Sequence, residues 1–293
     1  MLIIRSILAI VYLVQCVFSA RILGIIPTPS ISHQIVYRKI WTELSLRGHE
    51  VVVVTTDPIA DPRLTNLTEI NLHFSYGILE QYNVSNVIND YGDSPMKMMN
   101  EIIRAGDNLV NLQLEHPEIQ SLIRSEDQQF DLVMVEVLVL TFFAFKHKFQ
   151  CPLIGLYSLE ASSDIYNLMG NPVNPITNPD TIMPYVGKLT FMERLSSVLS
   201  RLFFSYFMFS RMADLSDKRI QKYFGDYPPI LDLVQSTDML FLNVHPAFLG
   251  VRPLTPSIIN IGIGLHLEPL HPLPKVLKIQ MKSYFKHDGN NYM

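Results

Sequence analysis

Cysteine is nearly absent from this chain: 293 residues contain two, Cys16 and Cys151. That excludes a disulfide framework and a cysteine-built zinc site. Charge of one sign is scarce too. The 23 basic residues stand against 27 acidic ones and form no Lys/Arg block, so no surface tracks a phosphate backbone and nucleic acid is not an expected partner. Apolar runs of about 20 residues, the length of a bilayer span, are missing, as are a Ser nucleophile elbow and a full Gly-x-Gly-x-x-Gly loop, for which Gly262-Ile263-Gly264 is too short. His116, His245, His266, His271 and His287 are scattered without metal-ligand spacing, so neither a metal site nor a hydrolase triad is expected.

Hydrophobic residues make up 48% of the chain, which excludes overall disorder and suffices for one large domain or two small ones. At the amino end, Arg5 precedes the apolar run Ile7 to Val14 and the small-residue site Val17-Phe18-Ser19-Ala20. Gln15 interrupts that run well before it could span a membrane. The pattern predicts a secretory signal peptide over 1–20, cleaved after Ser19 or Ala20. Cys16 would leave with it. Cys151, ahead of Pro152 at the start of an apolar strand, is then a small buried side chain rather than a reactive thiol. Behind a signal peptide, the sequons at Asn66 and Asn83 become usable N-glycosylation sites on a surface stretch.

From Arg21 the chain alternates strand and helix. A strand at Arg21–Ile26 ends at Pro27 and Pro29, and Ser30 or Ser32 can cap a helix starting near His33. Tyr37, Ile40, Trp41 and Leu44 form one apolar stripe of that helix. Gly48 ends it, and the β-branched run Val51 to Val54 suits a parallel strand buried on both faces. The pattern predicts further strands at Asn71–Tyr76, Asp131–Val135, Pro152–Tyr157, Thr237–Asn243 and Ser257–Gly262. Helices are predicted at Met96–Arg124, broken at Pro117, at Leu138–Phe149, and from about Leu189. Within the last, Leu202 to Phe209 is apolar nearly all round, which fits a core helix or one that touches a membrane or a partner. Arg194 and Arg201 argue against a bilayer span there. The prolines from Pro253 to Pro274 resemble a linker. The predicted fold is a doubly wound, mostly parallel, Rossmann-like α/β sheet in three layers over 21–265, where ligands collect at the carboxyl ends of the strands, followed by a linker and chain end at 266–293.

His33 falls in such a rim position. The positive end of a helix dipole favours neutral imidazole, the form that accepts a proton. The pattern alone leaves both a general base and a capping or surface histidine open.

The stretches "ARILGIIPTPSISH", "LSLRGHEVVVVTTDP", "FDLVMVE", "FKHKFQCPLIGL", "LTFMERLSSVL", "MLFLNVHPAFLGVRP" and "INIGIGLHLEPLHPLP" together resemble the amino-terminal half of animal UDP-glycosyltransferases, the UDP-glucuronosyl and UDP-glucosyltransferase family. The resemblance implies the acceptor-binding domain of a GT-B enzyme, in which His33 takes the proton from a small lipophilic acceptor hydroxyl so that its oxygen attacks the sugar's anomeric carbon. The UDP-sugar is a co-substrate held by a second domain, and no cofactor is expected. The family's aspartate, which stabilises the histidine, would fall at Leu140 or Thr141, where this chain has no acid. Glu136 is expected to be a strand-end surface acid. Two readings follow. One is a glycosyltransferase portion of the endoplasmic reticulum lumen, inactive by itself. The other is a non-catalytic lumenal protein that binds lipophiles or pairs with family members or a membrane surface through Leu202–Phe209.

Overall fold

The computed structural model describes residues 19–262 except 84, 85, 87–93, 181, 182 and 186. Residues 1–18 of the signal peptide expected over 1–20, the linker over 266–293, and His266, His271 and His287 lie outside the described residues. Seven strands form one sheet: β1 (Arg21–Ile26), β2 (Glu50–Thr55), β3 (Leu67–Asn71), β4 (Leu132–Glu136), β5 (Leu153–Tyr157), β6 (Met239–Leu242) and β7 (Ile258–Asn260). Their order is β3-β2-β1-β4-β5-β6-β7, and all six pairings are parallel. The expected doubly wound sheet is present.

The uninterrupted apolar strands follow from burial on both faces. Ile22, Ile26, Val51, Val53 and Met134 meet Val36, Tyr37 and Trp41 on α1 (Ile31–Leu46). Their neighbours Leu23, Ile25, Val52, Val54, Val133 and Val135 point the other way, into a larger core. That second layer holds α2 (Ser75–Gln81), α3 (Pro95–Leu114), α4 (Pro117–Arg124), a 3-10 turn (Leu140–Phe143), α5 (Ala144–Phe149) and α6 (Ser163–Leu168). After these come α7 (Phe191–Phe203), a π-helical turn (Phe204–Phe209), α8 (Ser210–Tyr223), α9 (Ile230–Gln235) and α10 (Pro246–Leu249). Cys151 is buried as expected, and burial pushes its thiol up to about 11.

Several boundaries differ from expectation. The third strand is Leu67–Asn71, and a helix starts at Ser75 where a strand was expected. β3 lies at the edge of the sheet and buries only Ile70, so its polar residues hide the strand pattern. The segment after β4 opens as a 3-10 turn and becomes α-helical only at Ala144. Helices α6 and α9, six residues each, are too short for a periodic signal. Ser30 occupies the cap position of α1 in an extended conformation, but its hydroxyl bonds Ser32 at 2.8 Å rather than a helix amide.

Among the described residues no helix is long and apolar enough to cross a membrane. The stretch Leu202 to Phe209 divides between two environments: Met208 is buried, while Leu202, Tyr206 and Phe207 are exposed. With Leu195 and Leu199 they continue an exposed apolar stripe along α7.

Candidate active site

The chain runs outward from β1 through β2 to β3, then returns to place β4 on the other side of β1. The carboxyl ends of β1 and β4 therefore flank the topological switch point, where ligand crevices form in such sheets. Ile25 lies opposite Val135, so Ile26 and Glu136 leave the sheet at the same level. After Ile26 the chain passes two prolines and enters α1, with His33 as its third residue.

The loop between β1 and α1 lacks amide donors at Pro27 and Pro29, and buried side chains bond its carbonyls instead. Gln34 Nε2 donates to the carbonyls of Ile26 and Thr28, each at 2.9 Å, and its Oε1 accepts from Thr55 Oγ1 at 2.7 Å. Gln113 Nε2 on α3 donates to the Pro27 carbonyl at 2.7 Å. Three successive carbonyls are thus tied down beside His33 by donors on two buried amide side chains.

His33 Nδ1 lies 2.5 Å from Glu136 Oε1 and 2.8 Å from Ser158 Oγ, the residue after β5. Side chains from the rims of three adjacent strands converge on one ring nitrogen. The Glu136 side chain is 0% exposed and that of His33 16%, so Glu136 is not the surface acid expected of it. It ends a strand buried on both faces, and that position carries it inward. The two places assigned to the family's acid lead elsewhere. Leu140 lines an apolar pocket, and Thr141 accepts from Arg219 Nη1 at 3.2 Å.

A carboxylate only accepts hydrogen bonds, so Nδ1 carries the proton toward Glu136, and the neutral form of the ring then has its lone pair on Nε2. Glu136 Oε2 is buried with no partner among the described residues. Leaving one oxygen of a buried acid unpaired costs about 1–3 kcal/mol or more, a cost that fits a functional acid better than a structural one. Its charge is felt nearby. Burial first, and then Glu136, push the Tyr157 hydroxyl up to about 12, and the Tyr37 hydroxyl rises for the same two reasons.

A cavity of about 340 Å³ opens from the same two loops, lined by Pro27 to Pro29 and Leu138 to Leu140, with α3 and α8 closing it. His33 is not part of its lining; it lies in the helix that continues from one wall. Volume and apolar character fit a small organic ligand. Of the other histidines, His245 caps α10 by accepting from the Ala247 amide at 3.2 Å, and His116 stacks on Phe74. Gly262 passes so close to Val244 that an added Cβ would lie 2.4 Å from its carbonyl oxygen. Among the described residues no group of three or more His, Cys, Asp or Glu could hold a metal ion. Asn66 and Asn83 are exposed.

Residues 21–291 match the model of the family described as UDP-glucoronosyl and UDP-glucosyl transferase. UDP-glucosyltransferase 2 of Dactylopius coccus is 30% identical over 269 residues, 89% of this chain and 50% of that protein. The ecdysteroid UDP-glucosyltransferase of Autographa californica nuclear polyhedrosis virus is 28% identical over 94% of this chain and 55% of that protein. The chain thus spans about half the length of these relatives. Among solved structures, TcCGT1 in complex with UDP aligns over 90% of this chain and 55% of that one, at 12% identity and a TM-score of 0.47.

Proposed function

Because the chain belongs to the UDP-glucuronosyl and UDP-glucosyl transferase family, we propose that it is the acceptor-binding half of such an enzyme, with His33 as general base and Glu136 as its acidic partner. The observation that carries this is the 2.5 Å contact of His33 Nδ1 with a buried Glu136 at the switch point of the sheet. An acceptor hydroxyl gives its proton to Nε2 as its oxygen attacks the anomeric carbon of the UDP-sugar, whose bond to the phosphate oxygen breaks so that UDP leaves with the electron pair. Glu136 then stabilises the imidazolium that forms, as the acid of a Ser-His-Asp triad does. Ser158 shares Nδ1 and fixes the ring plane. The non-catalytic reading leaned on the missing family aspartate, and the carboxylate of Glu136 at His33 supports the catalytic reading instead.

The acceptor is a small lipophilic alcohol or phenol held in the apolar cavity. Relatives named for glucose transfer and for ecdysteroids make UDP-glucose and a steroid-sized alcohol the first pair to try. The amino-terminal pattern and the exposed Asn66 and Asn83 support a lumenal, glycosylated protein of the secretory pathway.

The test joins this chain to the carboxyl-terminal half of a family member and follows conjugate formation from UDP-glucose. His33→Ala and Glu136→Gln are each expected to lower kcat by about 10²–10⁴-fold, and the chain assayed by itself to form no conjugate. Turnover by His33→Ala at the unaltered rate would sink the assignment.

A further inference from the structure

The cavity beside His33 is mostly apolar, and its charged lining residues are Asp107 and Arg219. Asp107 on α3 and Arg219 on α8, both in its lining, are 112 residues apart and meet with Arg219 Nη2 at 2.5 Å from Asp107 Oδ1. Arg219 Nη1 reaches the Thr141 hydroxyl at 3.2 Å, five residues beyond Glu136. Asn111 Nδ2 touches the same Asp107 Oδ1 at 3.4 Å. Every hydrogen bond of the Asp107 carboxylate thus falls on Oδ1, and Oδ2 has no partner among the described residues. The Arg219 side chain is 9% exposed, that of Asp107 38%. The pair is therefore a buried cation holding a half-open carboxylate at the cavity wall. An ion pair in an apolar wall adds little to stability over a hydrophobic pair of the same volume. What it supplies is a fixed, charged hydrogen-bond acceptor in a mostly apolar site, and such sparse polar groups set ligand orientation.

The geometry points to Asp107 Oδ2 as an anchor for a second hydrogen-bond donor on the acceptor, so that this site selects lipophiles with two hydroxyls, one facing His33 and one at Asp107. This rests on the cavity being the acceptor site. Arg219 is the positioning residue. It holds Asp107 through one arm and, through Thr141, the segment that follows Glu136, so anchor and base keep a constant spacing. A lipophile with a single hydroxyl would leave Oδ2 without its donor, the kind of mismatch that discriminates strongly between ligands.

The experiment is calorimetric titration of the full chain with 4,4′-dihydroxystilbene and 4-hydroxystilbene, which differ only in the second hydroxyl. A hydrogen bond to a charged group predicts about tenfold tighter binding of the diol. In Asp107→Ala the ratio of the two affinities should fall to about the twofold that two equivalent ends supply. Should Arg219, left unpaired, unfold that variant, Asp107→Leu/Arg219→Met removes both charges at similar volume and should show the same loss. Equal affinities in the unaltered chain, or a tenfold preference that survives in a variant still binding 4-hydroxystilbene, would overturn the anchor alone. Binding of neither compound by the unaltered chain would overturn the cavity as acceptor site. The role of His33 and Glu136 stands or falls separately, on turnover of His33→Ala.

Discussion

Gly24 in β1 is set by one neighbour: a Cβ there would lie 2.8 Å from Cη2 of the Trp41 ring, which lies flat against the strand. Trp41 is itself buried, and a rigid indole cannot bend away as a flexible side chain could. Gly24→Ala should therefore cost about 1–3 kcal/mol by overpacking. Trp41 is the sole tryptophan, so its emission should shift to longer wavelength while the melting point falls. An unchanged spectrum and melting point would show that α1 slides to accommodate the methyl group. At the same scale, His33 stood out by its place between a proline-broken strand and a helix, but that pattern left its role open and only the family resemblance made it a candidate base. Glu136 was not legible, although the signal was present. An acid closing the run Leu132 to Val135, in a strand that pairs with β1, must sit at the height where β1 ends. Reading that needs the strand order, which no local pattern contains. Asp107 and Arg219, on two helices far apart in sequence, left no trace at all.

Among the elements, α7 has the most complete start signal. Thr190 and Glu193 bond each other's backbone amides in a reciprocal cap, yet the helix buries only Ser197. Its apolar stripe Leu195, Leu199 and Leu202, continued by Tyr206 in the π-helical turn, instead faces outward. Leu199→Gln with Tyr206→Gln should leave stability within about 0.5 kcal/mol while reducing self-association of concentrated protein. Met208, two residues past Tyr206 but buried against the cavity, should behave oppositely, Met208→Ala costing about 2 kcal/mol or more. Differential scanning fluorimetry of the two variants side by side decides this, and equal losses would refute the division of the stretch. Periodicity marked this segment as apolar all round. It could not say which side the sheet would cover, because that depends on α8 and α3 packing from elsewhere in the chain. Short helices such as α6 and α9 escaped for a simpler reason, having fewer than two turns to repeat.

For the whole molecule, protection is graded from the centre outward. β1, β2, β4 and β5 are packed on both faces, whereas α7 and the π-helical turn hang on a few contacts. Native-state hydrogen exchange should accordingly find the slowest amides in β1 and β4, opening only with global unfolding, and much faster exchange across Phe191–Phe209. Uniform protection would mean that the stripe is covered in solution. The parallel, doubly wound plan was legible from the strand–helix alternation, since continuous apolar strands cannot stay in water on either face. The tethered carbonyls of Ile26, Pro27 and Thr28 have a consequence in time. A loop held by two buried amides is expected to keep its shape when a ligand arrives. If His33 is the base proposed above, it is aimed before the encounter, and the rate of productive capture should be set by how often an acceptor collides in the right orientation, not by any closing step at His33.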